Sequence, residues 1–324
     1  MKTKIVYCLV SGIKDYFYEQ LLISLCSLRK HNPEAEVLVV CDQATSDTLV
    51  GTRTGVFDYN ITVVAVDVPD TWNNKERSRY LKTHLRSIVS GDYLFIDTDT
   101  VISASLDIVD TFTCIIGAVY DSHLQRRIPK IPLHDTEKWI WREAGKADQN
   151  IEGCWHFNSG VFYVKDHPQA YSLYDKWAAW HQEFQKKGVF IDQLPLLLAN
   201  KELGEIIEPL DPAMNCQAIW EEGALILNDA RIIHYFPGQK KFILSSPWLL
   251  DPIKETGAIP CTIQRIIDDP VSFFCTKSQI ITGRDVDFVR SVMHKIYESS
   301  PRFYKLLLKE IDLYYFIRRL SKEN

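Results

Sequence analysis

The chain has 324 residues, 46% hydrophobic and 24% charged. That balance belongs to a folded globular protein and excludes collagen, low-complexity polymers and wholly disordered chains. The length fits one large α/β domain or a domain with an appendage. Lys and Arg number 37 against 42 Asp and Glu, a net −5, so no basic excess draws the chain to nucleic acid. No apolar run of 18 residues predicts a transmembrane helix.

Met1-Lys2-Thr3-Lys4 opens like a signal peptide, but the apolar stretch Ile5 to Val10 is too short and no small-residue cleavage site follows. A buried first strand is the expectation. The eight cysteines are scattered, with no CxxC, as expected of small buried hydrophobes in a reducing cytosol. The sequon at Asn60 is then idle. Lys4 to Val10 reads as a strand, Tyr16 to Lys30 as a helix, Glu36 to Cys41 as a second strand and Ser46 to Arg53 as a short helix. Ile61 to Val66 is a third strand, Asn74 to Ser90 a long helix and Asp92 to Ile96 a fourth strand. This β-α-β-α order predicts an α/β fold, a mainly parallel sheet covered by helices on both faces. Ligands bind outside the carboxyl ends of such strands, where Ser11, Asp42 and Asp97 stand.

Further on, Cys114 to Tyr120 reads as a strand ending at Asp121, and Ser122 to Asn150 as a polar irregular loop or lid. Phe157 to Val164 is a strand, Pro168 to Lys187 a helix, Asp192 to Asn200 a short helix and Ile232 to Phe236 a last strand. From about residue 250 the texture turns helical, over Asp285 to Ser299 and Arg302 to Leu320. The expected division is therefore 1–250 and a helical extension, 251–324. Arg302 to Asn324 holds six basic and three acidic residues, a surplus of +3 against −8 elsewhere. Its Arg302–Lys322 segment could rest on anionic lipid with its aromatics in the interface. The alternative is a helix packed on the core or on a second subunit.

The chemistry centres on Tyr93-Leu94-Phe95-Ile96-Asp97-Thr98-Asp99. An apolar strand delivers two carboxylates to its end, and alternation in an extended segment would point both to one side. A divalent cation, Mn²⁺ or Mg²⁺, gives two such charges a reason to coexist and bridges substrate phosphates. The motif also fits a haloacid-dehalogenase-like phosphatase, with Asp97 as nucleophile, Asp99 as general acid and Asp268-Asp269 as a distal acidic motif. A solvated strand end is the plainest alternative. His234 after Ile232-Ile233 could complete the metal shell. Gly238 lets backbone approach a phosphate, and Lys240 or Lys241 could neutralise a departing diphosphate.

The ordered set of strand-DxD, Asp121, Phe157-Asn158-Ser159-Gly160, Asp192-Gln193, and His234 with Gly238 and Lys241 resembles the retaining GT-A glycosyltransferases. The similarity runs from Ile5 to about Lys241 and is closest to family 8, the glycogenin and lipopolysaccharide galactosyltransferase group. The resemblance implies manganese at Asp97, Asp99 and His234, with Thr98 between them at the donor site. It implies a donor contact from Lys82, with Arg79 and Arg86 nearby, and a donor sugar among Asp121, Asn158 and Gln193, with Asp192 preceding that glutamine. Gly238 and Lys241 would touch the diphosphate. Three residues separate His234 from Gly238 where the family has two, Pro247-Trp248 stands further from the lysine than usual, and Leu194 follows Gln193 where some members carry an acid.

The implied reaction moves a sugar from a nucleotide donor, a UDP-sugar, to a hydroxyl with retention. The acceptor would be a surface glycan or lipid-linked saccharide, met in the cytoplasm or at the inner face of the membrane. A departing phosphate oxygen could take the acceptor proton on the same face of the sugar, with Gln193 as a polar stabiliser. A double displacement would need a protein nucleophile, for which Asp192 is chemically better than the neutral amide of Gln193. Tyr16 or Phe17 could stack on uracil, and Asp42 could bind ribose or base or cap a turn. Trp139 and Trp141 are acceptor candidates, whereas Trp177 and Trp180 share a helix face and read as core. A catalytically silent sugar-nucleotide or glycan-binding module on the same fold is the rival from another class.

Overall fold

Along the first strand Ile5, Tyr7 and Leu9 feed one hydrophobic core while Val6 and Val10 feed another. This two-residue alternation is what a strand buried on both faces produces. The computed structural model describes residues 1–69, 71–220, 222–236, 244, 246–274, 287 and 290–320. The elements run β1 (Lys4–Leu9), α1 (Phe17–His31), β2 (Val37–Asp42), α2 (Gln43–Ser46), β3 (Thr62–Val66), α3 (Asn74–Ile88), β4 (Tyr93–Ile96) and β5 (Thr100–Ile102). Then come β6 (Ile116–Tyr120), α4 (Asp135–Lys146), β7 (Phe157–Val164), α5 (Pro168–Lys186), α6 (Gln193–Glu202), β8 (Ile207–Pro209) and β9 (Cys216–Gln217). The last are α7 (Gly223–Ile226), β10 (Ile232–His234), α8 (Pro247–Thr256), α9 (Cys261–Asp268), α10 (Pro270–Phe274) and two helices, Val292–Ser299 and Pro301–Leu320.

The main sheet has the order β3-β2-β1-β4-β7-β6-β8. Only β7 runs against its neighbours, β4 and β6; the other pairings are parallel. The expected mainly parallel α/β sheet is thus present. α1, α8 and α9 pack one face, with Leu21, Leu25, Leu249, Ile253, Ile263 and Ile267 buried there. α3, α5 and α6 pack the other through Leu81, Leu85, Leu173, Trp177 and Leu196. Each such buried side chain contributes about 1.5–3 kcal/mol. A second sheet, β5-β10-β9, stands beside the first.

Caps set several boundaries. The Asn73 side chain accepts from the amides of Lys75 and Glu76 while the Glu76 carboxylate accepts from the Asn73 amide, so α3 starts where a capping box starts it. Asp42 accepts from the Thr45 amide at 2.9 Å. That cap brings the short helix forward to Gln43, and a 3₁₀ stretch over Gly51–Tyr59 replaces the helix expected over 46–53.

The chain forms two compact units, 1–127 with 154–278 and 128–153 with 279–324. The boundary expected at residue 250 falls inside the first unit, because the apolar faces of α8 and α9 belong to its core. In the second unit, the loop expected over 122–150 contains α4. His134 and Glu137 form its capping box, and Thr136, Glu137, Ile140, Glu143 and Ala144 are buried at helical spacing. Trp139 and Trp141 are therefore helical; the Trp141 Nε1–H donates to the Pro129 carbonyl at 3.0 Å. Lys138 Nζ donates to the Ser299 carbonyl within the same unit. Among the described residues no helix is long and apolar enough to cross a membrane.

Candidate active site

β4 ends at Ile96, the chain bends through Thr98 and Asp99, and it re-enters a strand at Thr100. The bend replaces the extended alternation expected there, yet both carboxylates reach the same place. The Asp97 amide donates to the Gly160 carbonyl of β7 at 2.8 Å, and the Tyr235 amide to the Asp99 carbonyl at 3.1 Å. In the small sheet Thr100 pairs with His234. The antiparallel register therefore carries the histidine to the acids through main-chain pairing rather than side-chain contacts. Ligand atoms of Asp97, Asp99 and His234 lie within 4.8 Å of one another. His234 Nε2 is 3.2 Å from Asp99 Oδ1. Two carboxylates and one imidazole make a donor set that suits Mn²⁺ or Mg²⁺.

The imidazole is closely confined. Phe236 stacks on it at 3.8 Å and 16°. A Cβ on Gly160 would lie 2.3 Å from its Cε1, so only glycine admits the ring. Burial raises the Asp97 carboxyl above the usual range, opposed by Lys82 and reinforced by Asp99. Burial also acts to raise Asp99, but the imidazole and its hydrogen bond outweigh it and leave Asp99 lowered.

Lys82 from α3 is buried between acids. Its Nζ is 3.2 Å from Asp97 Oδ1 and 3.0 Å from Asp192 Oδ2. Asp192 also accepts from Ser159 Oγ at 2.9 Å and pairs with Arg79 Nε at 3.5 Å. Burial alone would raise its carboxyl; Arg79, Lys82 and Ser159 together hold it far below the carboxylate range. Arg86, the other basic neighbour of Lys82, is elsewhere: it is buried, donates to the Gly91 and Val89 carbonyls and stacks over Tyr93.

Asp121, Asn158 and Gln193 meet as the sequence predicts. Asp121 Oδ1 accepts from Asn158 Nδ2 at 2.9 Å and Gln193 Nε2 at 2.8 Å, and Oδ2 from Ser122 Oγ at 3.1 Å. Three further residues were not foreseen. Asn215 lies between Asn158 and His234, with its Nδ2 2.9 Å from Asn158 Oδ1 and its Oδ1 3.2 Å from His234 Nδ1. Gln217 accepts from the Ser122 amide, donates to the Tyr120 carbonyl and, through its own amide, donates to His123 Nε2. It fastens a turn in which Ser122 and His123 both take positive φ, 55° and 57°. Asn215 carried one signal, a lone amide within the apolar stretch Ala213-Met214-Asn215-Cys216. Gln217 and His123 carried none.

A cavity of about 450 Å³ opens over the acids, lined by Phe17, Gln20, Lys75, Arg79, Lys82 and the Asp97–Asp99 run. Thr98 is in that wall as expected. Of the two aromatic candidates for base stacking, Phe17 lines the cavity. Tyr16 instead donates to Asp251 Oδ1 at 2.7 Å and has Lys254 Nζ 4.2 Å over its ring. Ser11 donates to Asp15 Oδ1 and accepts from Arg53. Asp42 caps α2 and pairs with Arg77 at 2.5 Å, so the turn-cap alternative is the one its contacts match. Gly238, Lys240 and Lys241 lie outside the described residues. Asp268 ends α9 beside Lys30, and no acid from that segment joins the 97–99–234 cluster among the described residues. The distal acidic motif of the phosphatase alternative is therefore not at this site.

No family model and no curated protein matches the sequence. Solved structures do match. The bifunctional glycosyltransferase WbbM is 14% identical over 81% of this chain and 51% of its own, with a TM-score of 0.52. Mouse xyloside xylosyltransferase 1 is 13% identical over 72% of this chain and 97% of its own, at 0.48. The galactosyltransferase LgtC, solved with donor and acceptor sugar analogues, is 15% identical over 81% and 99%, at 0.48. This chain spans about half of WbbM, whose likeness carries the comparison. The mixed, mostly parallel sheet with its flanking helices is the GT-A glycosyltransferase fold.

Proposed function

We propose that the protein is a metal-dependent glycosyltransferase that takes a nucleotide-sugar, a UDP-sugar, and passes the sugar with retention to a hydroxyl of a glycan or lipid-linked saccharide. The observation that carries this is the convergence of Asp97, Asp99 and His234 at the carboxyl end of β4, beside a cavity lined by Lys75, Arg79 and Lys82. That is an anion-receiving pocket next to a cation seat, at the end of the sheet where α/β folds bind ligands. A divalent cation held there supplies positive charge to the leaving diphosphate.

The chain's own groups do the rest. Lys82 neutralises Asp97 and Asp192 and presents its ammonium to the cavity floor. Asp121 uses part of its acceptor capacity on Asn158, Gln193 and Ser122, and its remaining lone pairs can receive sugar hydroxyls. Asp192 is committed to two cations and a hydroxyl, which makes it a weak nucleophile, and Gln193 is neutral. Both facts favour the same-face route, with the departing phosphate oxygen accepting the acceptor's proton.

Calorimetric titration with UDP, with and without Mn²⁺, tests the proposal beside Asp99→Asn. UDP binding that requires Mn²⁺ and is lost in Asp99→Asn is expected. Binding of another nucleotide in place of UDP changes the donor. No nucleotide binding under any metal overturns the transferase and brings the silent module forward.

A further inference from the structure

Four buried groups stand in one hydrogen-bonded row: the Gly160 amide, Asn158, Asn215 and His234. Asn215 is fully buried, and Asn158 and His234 are each 2% exposed. At such depth each polar atom must meet its complement or forfeit about 1–3 kcal/mol. The row has only one consistent polarity. A backbone N–H can only donate, and that of Gly160 is 2.9 Å from one end of the Asn158 amide. That end must be the oxygen. The opposite end then donates to the Asp121 carboxylate, as the 2.9 Å contact requires. The Asn215 atom 2.9 Å from the Asn158 oxygen must in turn be nitrogen. This leaves the Asn215 oxygen to face His234 Nδ1 at 3.2 Å, and a carbonyl oxygen can only accept. Nδ1 therefore carries a proton.

We propose that Asn215 is a positioning residue that holds His234 by its Nδ1–H, so that Nε2 is the nitrogen turned to the Asp97–Asp99 seat, 3.2 Å from Asp99 Oδ1. The proposal deepens the metal reading given above and rests on it. Metal-binding histidines gain both orientation and basicity from such a partner on the other ring nitrogen. Here the partner also holds Asn158, and Asn158 holds Asp121. The cation seat and the sugar-facing carboxylate are thus two ends of one row whose direction is set by a main-chain amide.

Two measurements test it on the full-length chain. Long-range ¹H–¹⁵N correlation of the metal-free protein, with His234 assigned by its loss in His234→Gln, should show the proton on Nδ1. Titration with Mn²⁺, read by the electron paramagnetic resonance of the free ion, should give tenfold to a hundredfold weaker binding in Asn215→Leu. Asn215→Asp keeps an oxygen for the Nδ1 proton but gives up the amide donor to Asn158 Oδ1, so it should lose less Mn²⁺ affinity than Asn215→Leu. An Nδ1 without a proton in the original chain overturns the proposal. So does a folded Asn215→Leu that binds Mn²⁺ as before, or an Asn215→Asp that loses more affinity than Asn215→Leu. Should Asn215→Leu fail to fold, the proton on Nδ1 decides. An original chain that binds no Mn²⁺ yet carries its proton on Nδ1 sinks the metal reading and leaves the Nδ1 assignment standing.

Discussion

Gly160 meets two demands at once. Its carbonyl receives the Asp97 amide, and its missing side chain makes room for His234. Gly160→Ala would place a methyl 2.3 Å from Cε1 and 2.7 Å from Nδ1 of a ring already stacked on Phe236 at 3.8 Å. We expect a loss of about 1–3 kcal/mol in urea unfolding and at least tenfold weaker Mn²⁺ binding by calorimetry. Unchanged Mn²⁺ affinity would show that the ring has another resting place. Lys82 predicts a different result. Lys82→Met leaves the buried Asp192 with less compensation and Asp97 with none from this side. Removing one partner of a buried ion pair costs about 3–5 kcal/mol, so its unfolding midpoint in urea should fall further than that of Gly160→Ala. A midpoint as high as that of the unaltered chain would mean that the two acids repair the loss by themselves.

At the level of elements, α8 and α9 were read from composition as part of a terminal extension, yet they complete the core against α1. Gly257 is the fastening: it ends α8 at φ 72°, and a Cβ there would sit 2.1 Å from the Thr52 carbonyl oxygen. Gly257→Ala should cost at least about 1–2 kcal/mol for its backbone alone, visible as a lower melting temperature, with the Mn²⁺ affinity of the remaining folded protein unchanged. A weaker affinity would mean that α8 supports the seat directly. The strands were legible because buried runs such as Tyr93–Ile96 and Phe157–Val164 carry an apolar signal that needs no partner. The pairing of β5 with β10 was not legible, since three-residue strands give no periodicity and their register is a tertiary fact. α4 was hidden for a related reason. Its buried face includes Thr136, Glu137 and Glu143, polar residues that hydropathy assigns to solvent. In the site, the acids and His234 stood out through strand context. Asn215 and Gln217 did not, because a buried amide is recognised by its partners and those lie far away in the chain.

For the whole molecule, two buried histidines set an acid limit. Burial pushes His181 down to about 4, with Asp192 opposing and Arg79 and His84 reinforcing the fall. Burial likewise pushes His123 down to about 4 against Asp121. The unfolded chain takes up these protons near pH 6.5, the folded chain only near pH 4. Stability is therefore whole above pH 6.5 and declines as pH falls toward 4, by as much as roughly 3 kcal/mol for each group. Urea unfolding at pH 7 and pH 5 should show the decline, and His181→Gln should flatten it; an equal slope in that variant would exclude His181 as a source. The helix Pro301–Leu320 exposes Phe303, Leu306, Leu308, Ile311 and Tyr314 together with Arg302, Lys305 and Lys309. If it rests on lipid, the chain will co-sediment with phosphatidylglycerol vesicles but not phosphatidylcholine ones, and Lys305→Glu with Lys309→Glu will abolish this. The β5–β10 ladder has one more consequence. The Asp97–Asp99–His234 cluster is cross-braced by peptide groups, whereas the cavity above it is walled by the replaceable tips of Phe17, Gln20, Lys75 and Arg79. Mutational drift can thus redecorate the wall, and with it what the cavity admits, while the anchorage beneath is inherited intact.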